Sequence, residues 1–155
     1  MPLLRDKDGF HLRLGGGADY VRLEPDGVRP GPAPQLLVIT LLARQPGRGG
    51  GPKAIVMSGD LVRIRSAEGD LWLCIRDGAP ATCAGLGELA ATLRIESIPR
   101  SKPRFIQIGE GQVRFYVPDH GGHLRRGDAP ATMALGEPDD RAGLVIERPP
   151  SASLA

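Results

Sequence analysis

At three places in this chain a carboxylate stands close to a flat ring: Asp19 beside Tyr20, Asp70 two residues before Trp72, and Asp119 beside His120 and near His123. A carboxylate accepts hydrogen bonds from hydroxyl groups, and a ring face covers an apolar patch. Each pair therefore has the parts to grip a polyhydroxylated ligand. A plainer reading stands beside this one. Asp favours turns because its side chain bonds the local backbone, and a single ring on a hairpin can simply pack. The residue types leave both readings open.

A second group of candidates is basic. Arg44, Arg48 and Lys53 fall in one connector, and Arg100, Lys102 and Arg104 in another. Gathered at one end of a fold, six cations would form a patch for phosphate or sulfate. Stacking aromatics are missing around them, so nucleic acid is disfavoured. The sequence Gln45-Pro46-Gly47-Arg48-Gly49-Gly50-Gly51-Pro52 also reads as a solvated loop. Asp119-His120-Gly121-Gly122-His123 holds three potential metal ligands, but its two glycines make a loose frame and no metal site is assigned. Catalysis is not expected. No serine sits in a Gly-x-Ser-x-Gly elbow, Gly47 to Lys53 lacks phosphate-loop spacing, and Asp6-Lys7-Asp8-Gly9 lacks the terminal Glu of a calcium loop. No cofactor is expected.

The elements that must position these groups repeat. Val62-Arg63-Ile64-Arg65, a turn, and Leu71-Trp72-Leu73 return as Val113-Arg114-Phe115-Tyr116, a turn, and Gly122-His123-Leu124. Ala79-Pro80-Ala81-Thr82 returns as Ala129-Pro130-Ala131-Thr132, and Leu93-Arg94-Ile95-Glu96 as Leu144-Val145-Ile146-Glu147. A worn first copy runs Leu12-Arg13-Leu14, Tyr20-Val21, Leu37-Val38-Ile39-Thr40. The runs are short, β-branched and often alternating. They are expected as strands over 10–14, 19–23, 36–42, 54–57, 61–65, 71–75, 93–98, 105–108, 113–117 and 144–147. Glycine and aspartate punctuate them, as at Pro25-Asp26-Gly27, Asp77-Gly78 and His120-Gly121-Gly122. No window escapes Gly or Pro for long enough to make a good helix, so the chain is all-β.

With 155 residues and a net charge of +2, the chain is expected to be one domain with no global field toward nucleic acid or membrane. Lobes are expected at about 1–50, 51–102 and 103–150, with 151–155 as a tail. The first residues lack the apolar core of a signal peptide and no run reaches the length of a membrane span, so a cytoplasmic location without membrane insertion is expected. Cys74 and Cys83 straddle the Asp77-Gly78 turn and could face each other, although reduced thiols are the expectation there.

Three units of about fifty residues are too few to close a propeller and suit a closed barrel with threefold pseudosymmetry. In this the chain resembles the β-trefoil superfamily. Its second copy, Gly59-Asp60-Leu61-Val62-Arg63-Ile64-Arg65-Ser66 followed by Leu71-Trp72-Leu73 and Leu93-Arg94-Ile95-Glu96, is similar to fascin-type and MIR-type lobes. Tyr20-Val21-Arg22-Leu23-Glu24-Pro25-Asp26-Gly27 looks like the matching hairpin of fibroblast-growth-factor trefoils. The Gln-x-Trp signature of ricin-type lectins is absent. The resemblance implies a β-trefoil in which Leu12, Val62 and Val113 are equivalent core positions, as are Val21, Leu73 and Leu124. It implies a non-catalytic binding module whose first expected ligand is carbohydrate, held at the Asp–ring pairs. A protein-interaction module or inhibitor, presenting loops such as Pro30 to Gln35, Gly85 to Glu88 and Glu137 to Arg141, is the alternative, and anion binding at the basic connectors a lesser one.

Overall fold

In the computed structural model the described residues are 3–15, 17–43, 55–84, 90–98, 106, 108–109, 112–129, 132–137 and 143–148. They form twelve strands and, among the described residues, no helix. These are β1 (Gly9–Leu14), β2 (Tyr20–Glu24), β3 (Gly27–Gly31), β4 (Leu37–Ala43), β5 (Leu61–Ser66), β6 (Leu71–Arg76), β7 (Ala79–Ala84), β8 (Leu93–Ile98), β9 (Gln112–Val117), β10 (Gly122–Arg126), β11 (Met133–Gly136) and β12 (Leu144–Glu147).

Six strands close a barrel. β1 pairs with β4, β4 with β5, β5 with β8, β8 with β9, β9 with β12, and β12 returns to β1, every pair antiparallel. Closure leaves these six without a free edge, which is how such a barrel avoids templating foreign strands. The hairpins β2–β3, β6–β7 and β10–β11 carry the remaining strands and touch one another as a cap. This is the β-trefoil.

Alternation fills the barrel. β1, β5 and β9 each bury every second residue, and Phe10, Leu12, Ile39, Ile64, Leu93, Ile95, Phe115, Leu144 and Ile146 meet in one core. The register corrects one expected equivalence. Ile146, Ile39 and Ile95 stand opposite Leu12, Ile64 and Phe115, so Leu12 matches Ile64 and Phe115. The counterparts of Val62 and Val113 are Phe10, since these three face Leu93, Leu144 and Leu37. The slip is by two residues, so parity survives and every side chain stays on its face.

Backbone hydrogen bonds mark the axis. Leu4 N donates to Ile106 O at 2.9 Å, Ile106 N to Val56 O at 3.3 Å, and Val56 N to Leu4 O at 2.8 Å. This ring of three bonds joins one residue from each lobe, all of them buried. Beside it the N–H groups of Lys7, Gly59 and Gly109 bond the carbonyls of Ile39, Ile95 and Ile146 at 2.8, 2.7 and 2.6 Å. Asp8 and Asp60 each cap their own turn, accepting from Arg5 N at 2.9 Å and Met57 N at 2.8 Å. Runs 54–57 and 105–108, expected as strands, supply this ring instead: Ile55 makes a single bridge to Arg5, and Ala54, Phe105 and Gln107 lie outside the described residues.

β10 lies outside the runs expected as strands, although its Gly122-His123-Leu124 matches Leu71-Trp72-Leu73 in the repeat, and the other strands outside those runs are β3, β7 and β11. These last three contain Pro30, Pro80 and Gly136, residues that argue against strand in isolation. Each pairs on one side only, with its hairpin partner. A one-sided strand tolerates a missing N–H, so the penalty that excludes proline from a central strand does not apply.

Candidate functional site

The three ring residues occupy equivalent places on the outer wall. Tyr20, Trp72 and His123 lie opposite Arg13, Arg65 and Tyr116 across the first hairpin of each lobe. Two residues before those partners come His11, Arg63 and Arg114, facing Glu147, Thr40 and Glu96 on the neighbouring barrel strand. These positions alternate with the buried ones, so they point outward from the barrel. Each lobe thus builds a ledge from one ring, its cross-strand partner, a nitrogen base and one variable residue.

In the ledge at β12, β1 and β2 the variable residue is Glu147. Its Oε2 accepts from Arg13 Nε at 2.7 Å and its Oε1 from Tyr20 Oη at 2.9 Å. Burial pushes the carboxyl up, but the hydrogen bonds from Arg13 and Tyr20 outweigh it and leave Glu147 below its ordinary value. The same bond raises Tyr20, because the phenol is wanted as a donor. His11 packs edge-on to Tyr20 at 5.9 Å; burial lowers its pKa against the opposing pull of Glu147.

The ledge at β8, β9 and β10 repeats this with Glu96. It accepts from Arg94 Nε at 3.1 Å and lies 3.0 Å from His123 Nε2. Arg94 stacks over Tyr116 at 4.6 Å, and Tyr116 tilts against His123 at 5.0 Å. Both carboxylates are thus spent inside their own ledges.

The ledge at β4, β5 and β6 is different, because Thr40 stands where the others have glutamate. Arg65 lies over the Trp72 ring at 6.0 Å and donates from Nη1 to Ser66 O at 3.1 Å. The buried Nε of Arg63 has no hydrogen-bond partner. Trp72 Nε1 donates to the exposed carboxylate of Asp70 at 3.2 Å. Asp70 sits at φ 52°, in the left-handed region that Asn and Asp tolerate best, closing the turn into β6.

Of the three expected Asp–ring pairs, the structure forms Asp70–Trp72 alone. Asp19 instead bonds Arg126 Nη2 at 3.2 Å, tying the first lobe to the third. The carboxylate at Tyr20 is Glu147, and the one at His123 is Glu96 rather than Asp119. Asp119 and His120 occupy an exposed turn whose His120 and Gly121 N–H groups bond Val117 O. Among the described residues no three His, Cys, Asp or Glu side chains converge as a metal site. Arg44, Arg48, Lys53, Arg100, Lys102 and Arg104 lie outside the described residues, as do the loop from Gly85 to Glu88 and residues 138–141 of the loop from Glu137 to Arg141.

The glutamates had a visible signal that the apolar repeat obscured. Leu93-Arg94-Ile95-Glu96 and Leu144-Val145-Ile146-Glu147 end alike, whereas Leu37-Val38-Ile39-Thr40 does not. Their cross-strand partners could be identified only once the register was known.

Two further features bear on binding. Cys74 and Cys83 are free thiols, and the hairpin places Cys74 opposite Ala81 and Cys83 opposite Trp72, a diagonal rather than the facing pair the turn suggested. Burial, with Cys83 alongside, pushes the Cys74 thiol up to about 11. On the β2–β3 hairpin an open groove of about 520 Å³ is lined by Arg22, Glu24, Pro25, Asp26, Arg29 and the segment 30–33. Arg22 spans it, donating to Glu24 at 2.7 Å and to Ala33 O at 2.7 Å.

No protein-family model matches the chain, and no curated protein matches it by sequence. Solved structures do match in shape. The SDF2-like protein from Arabidopsis thaliana superposes with a TM-score of 0.74 at 11% identity, covering 94% of this chain and 95% of that one. A Caenorhabditis elegans protein of unknown function gives 0.68 at 7% identity, over 94% and 96%. A chain of the Saccharomyces cerevisiae protein O-mannosyltransferase Pmt1-Pmt2 complex, bound to the sugar donor, gives 0.72 at 11% identity. There the match covers 95% of this chain and 26% of the other. At these identities the likeness establishes the fold.

Proposed function

We propose that this protein is a non-catalytic, cytoplasmic binding module of MIR-like lobes that takes carbohydrate on the ledge of its second lobe. The observation that carries the reading is the Asp70–Trp72 pair: a half-buried indole on the outer wall with an exposed carboxylate fixed to its N–H. The indole face supplies apolar contact to a sugar ring. The free carboxylate lone pairs accept from hydroxyls, and the Arg65 guanidinium donates. The other two ledges spend their carboxylates internally, so one principal site is expected rather than three. The shape shared with a mannosyltransferase chain solved with its sugar donor supports the carbohydrate class. A glycan array tests it: binding that disappears in Trp72→Ala while the variant still melts cooperatively supports the reading, and binding unchanged in Trp72→Ala overturns it.

The groove on β2–β3 favours a second reading, a protein-interaction module. Its lining prolines, Pro25, Pro30 and Pro32, and the two basic and two acidic residues Arg22, Arg29, Glu24 and Asp26 suit a peptide with mixed charge. A partner whose capture is lost in Arg22→Ala, in a protein silent on the array, would favour that reading.

A further inference from the structure

The ledges differ in charge in one telling way. In the first and third, glutamate neutralises the cations around the ring: Glu147 holds Arg13, and Glu96 holds Arg94 and stands across from Arg114. In the second, Thr40 occupies the glutamate position while Arg63 and Arg65 remain, pointing outward as residues i and i+2 of one strand. Among the described residues neither guanidinium has a carboxylate partner. Arg63 Nε is buried and unpaired, as is Arg114 Nε in the third ledge, and Arg65 commits one N–H to Ser66 O, so what sets the second ledge apart is the missing glutamate. Asp70 accepts from the indole N–H and, among the described residues, forms no ion pair with either guanidinium. A guanidinium carries five donors, so most of the hydrogen-bonding capacity here is unspent.

We infer that the second-lobe ledge binds an acidic saccharide, with a uronate carboxylate or a sulfate ester of the ligand standing where Glu147 and Glu96 stand in the other lobes. The ligand's anion pairs with Arg63 and Arg65, and its sugar ring lies against Trp72. The inference rests on the lectin reading above and adds the ligand's charge. It concerns a place on the barrel wall distinct from the connector cations. Charge-assisted bonds to guanidinium are about twice as strong as neutral ones, which sets the expected preference at about tenfold over an uncharged sugar.

Trp72 is the one tryptophan of the chain, so its fluorescence reports this ledge directly. The full chain is titrated at low and at physiological salt with a heparin-derived hexasaccharide, its desulfated counterpart, and the neutral maltohexaose. The expected result is about tenfold tighter binding of one or both acidic sugars, weakening as salt rises. The desulfated probe shows whether carboxylate alone suffices. Thr40→Glu, which installs the internal counter-ion of the other lobes, abolishes the preference, as does Arg63→Gln with Arg65→Gln. Thermal melts of both variants establish that they are folded, and Thr40→Glu is expected to melt no lower than the parent. Equal affinity for neutral and acidic sugars overturns the acidic assignment and leaves the lectin reading standing. Acidic-sugar binding that persists in both variants overturns it too. Silence toward all three sugars overturns the acidic assignment, and the lectin reading is then decided by the glycan array.

Discussion

Lys7 is a lysine in a glycine's place. It holds φ 71°, and its equivalents in the other lobes are Gly59 at φ 97° and Gly109 at φ 89°. All three donate their N–H to the matching isoleucine carbonyl, so the backbone is required to be left-handed there in every lobe. An L-residue with a Cβ is strained in that region by about 1–2 kcal/mol. Glycine avoids the strain but loses about 0.5–1 kcal/mol of extra chain freedom on folding. The difference makes Lys7→Gly stabilising by roughly 0.5–1 kcal/mol, since the exposed lysine side chain gives up little. For a domain of this size that is a rise in Tm of roughly 1–4 °C. Gly109→Ala makes the opposite change at a position where an added Cβ meets no atom within 4 Å, so only the backbone term operates. It should lower Tm by a similar amount. Differential scanning calorimetry of the two variants and the parent decides the matter. Shifts of the same sign, or a Lys7→Gly protein that melts lower, would refute both the strain argument and the lobe equivalence beneath it.

Two other outcomes follow from the titrating groups. Glu147 is held below its ordinary value of about 4.3, so its stabilisation is complete above that pH and is lost as pH falls through the lowered folded value. Glu147→Gln should therefore be less stable than the parent at pH 7, with the gap closing below about pH 4 in urea melts; a pH-independent gap would contradict the assignment. The Cys74 thiol, raised to about 11, is roughly 0.1% thiolate at pH 8, against roughly a quarter for a free cysteine. Burial, the largest cause of that shift, persists when Cys83 is removed, so a disulfide reagent should modify Cys74 in the Cys83→Ser protein at least ~10-fold more slowly than in urea-unfolded chain, and equal rates would show the thiol is not buried as described.

What the sequence made legible follows from which forces are local. Alternation in Val62-Arg63-Ile64-Arg65 and the recurrence of Leu-x-Ile-x in three copies disclose the barrel strands, because burial on one face writes itself into residue type. The second strands of the cap hairpins were invisible for the converse reason. Val28-Arg29-Pro30 and Ala79-Pro80-Ala81 pair on one side only, so the selection against proline that marks a strand is relaxed. The worn first copy misled by two residues because Leu12 and Leu14 offer an apolar pair with either alignment. Only the pairing of Phe10 with Leu37 settles it.

The site was less legible than the fold, and the physics says why. Asp–ring proximity along the chain is a local signal, whereas the carboxylates that reach Tyr20 and His123 come from 127 and 27 residues away. Symmetry supplies the missing guide. A repeated position that repeats its residue type is explained by folding: Ile39, Ile95 and Ile146 need no ligand to account for them, since each fills the same core slot. A repeated position that departs from type does not have that explanation. The barrel demands nothing of an outward-facing residue opposite Arg63, Arg114 or His11, and two lobes place a glutamate there that quenches its surroundings. The second-lobe ledge has Thr40 there, and its two guanidinium groups and the chain's one indole lack that counter-ion. Arg63 and Arg65 set two like charges at i and i+2 of one strand with no glutamate opposite, and an anion bound there, as proposed above, would relieve their repulsion.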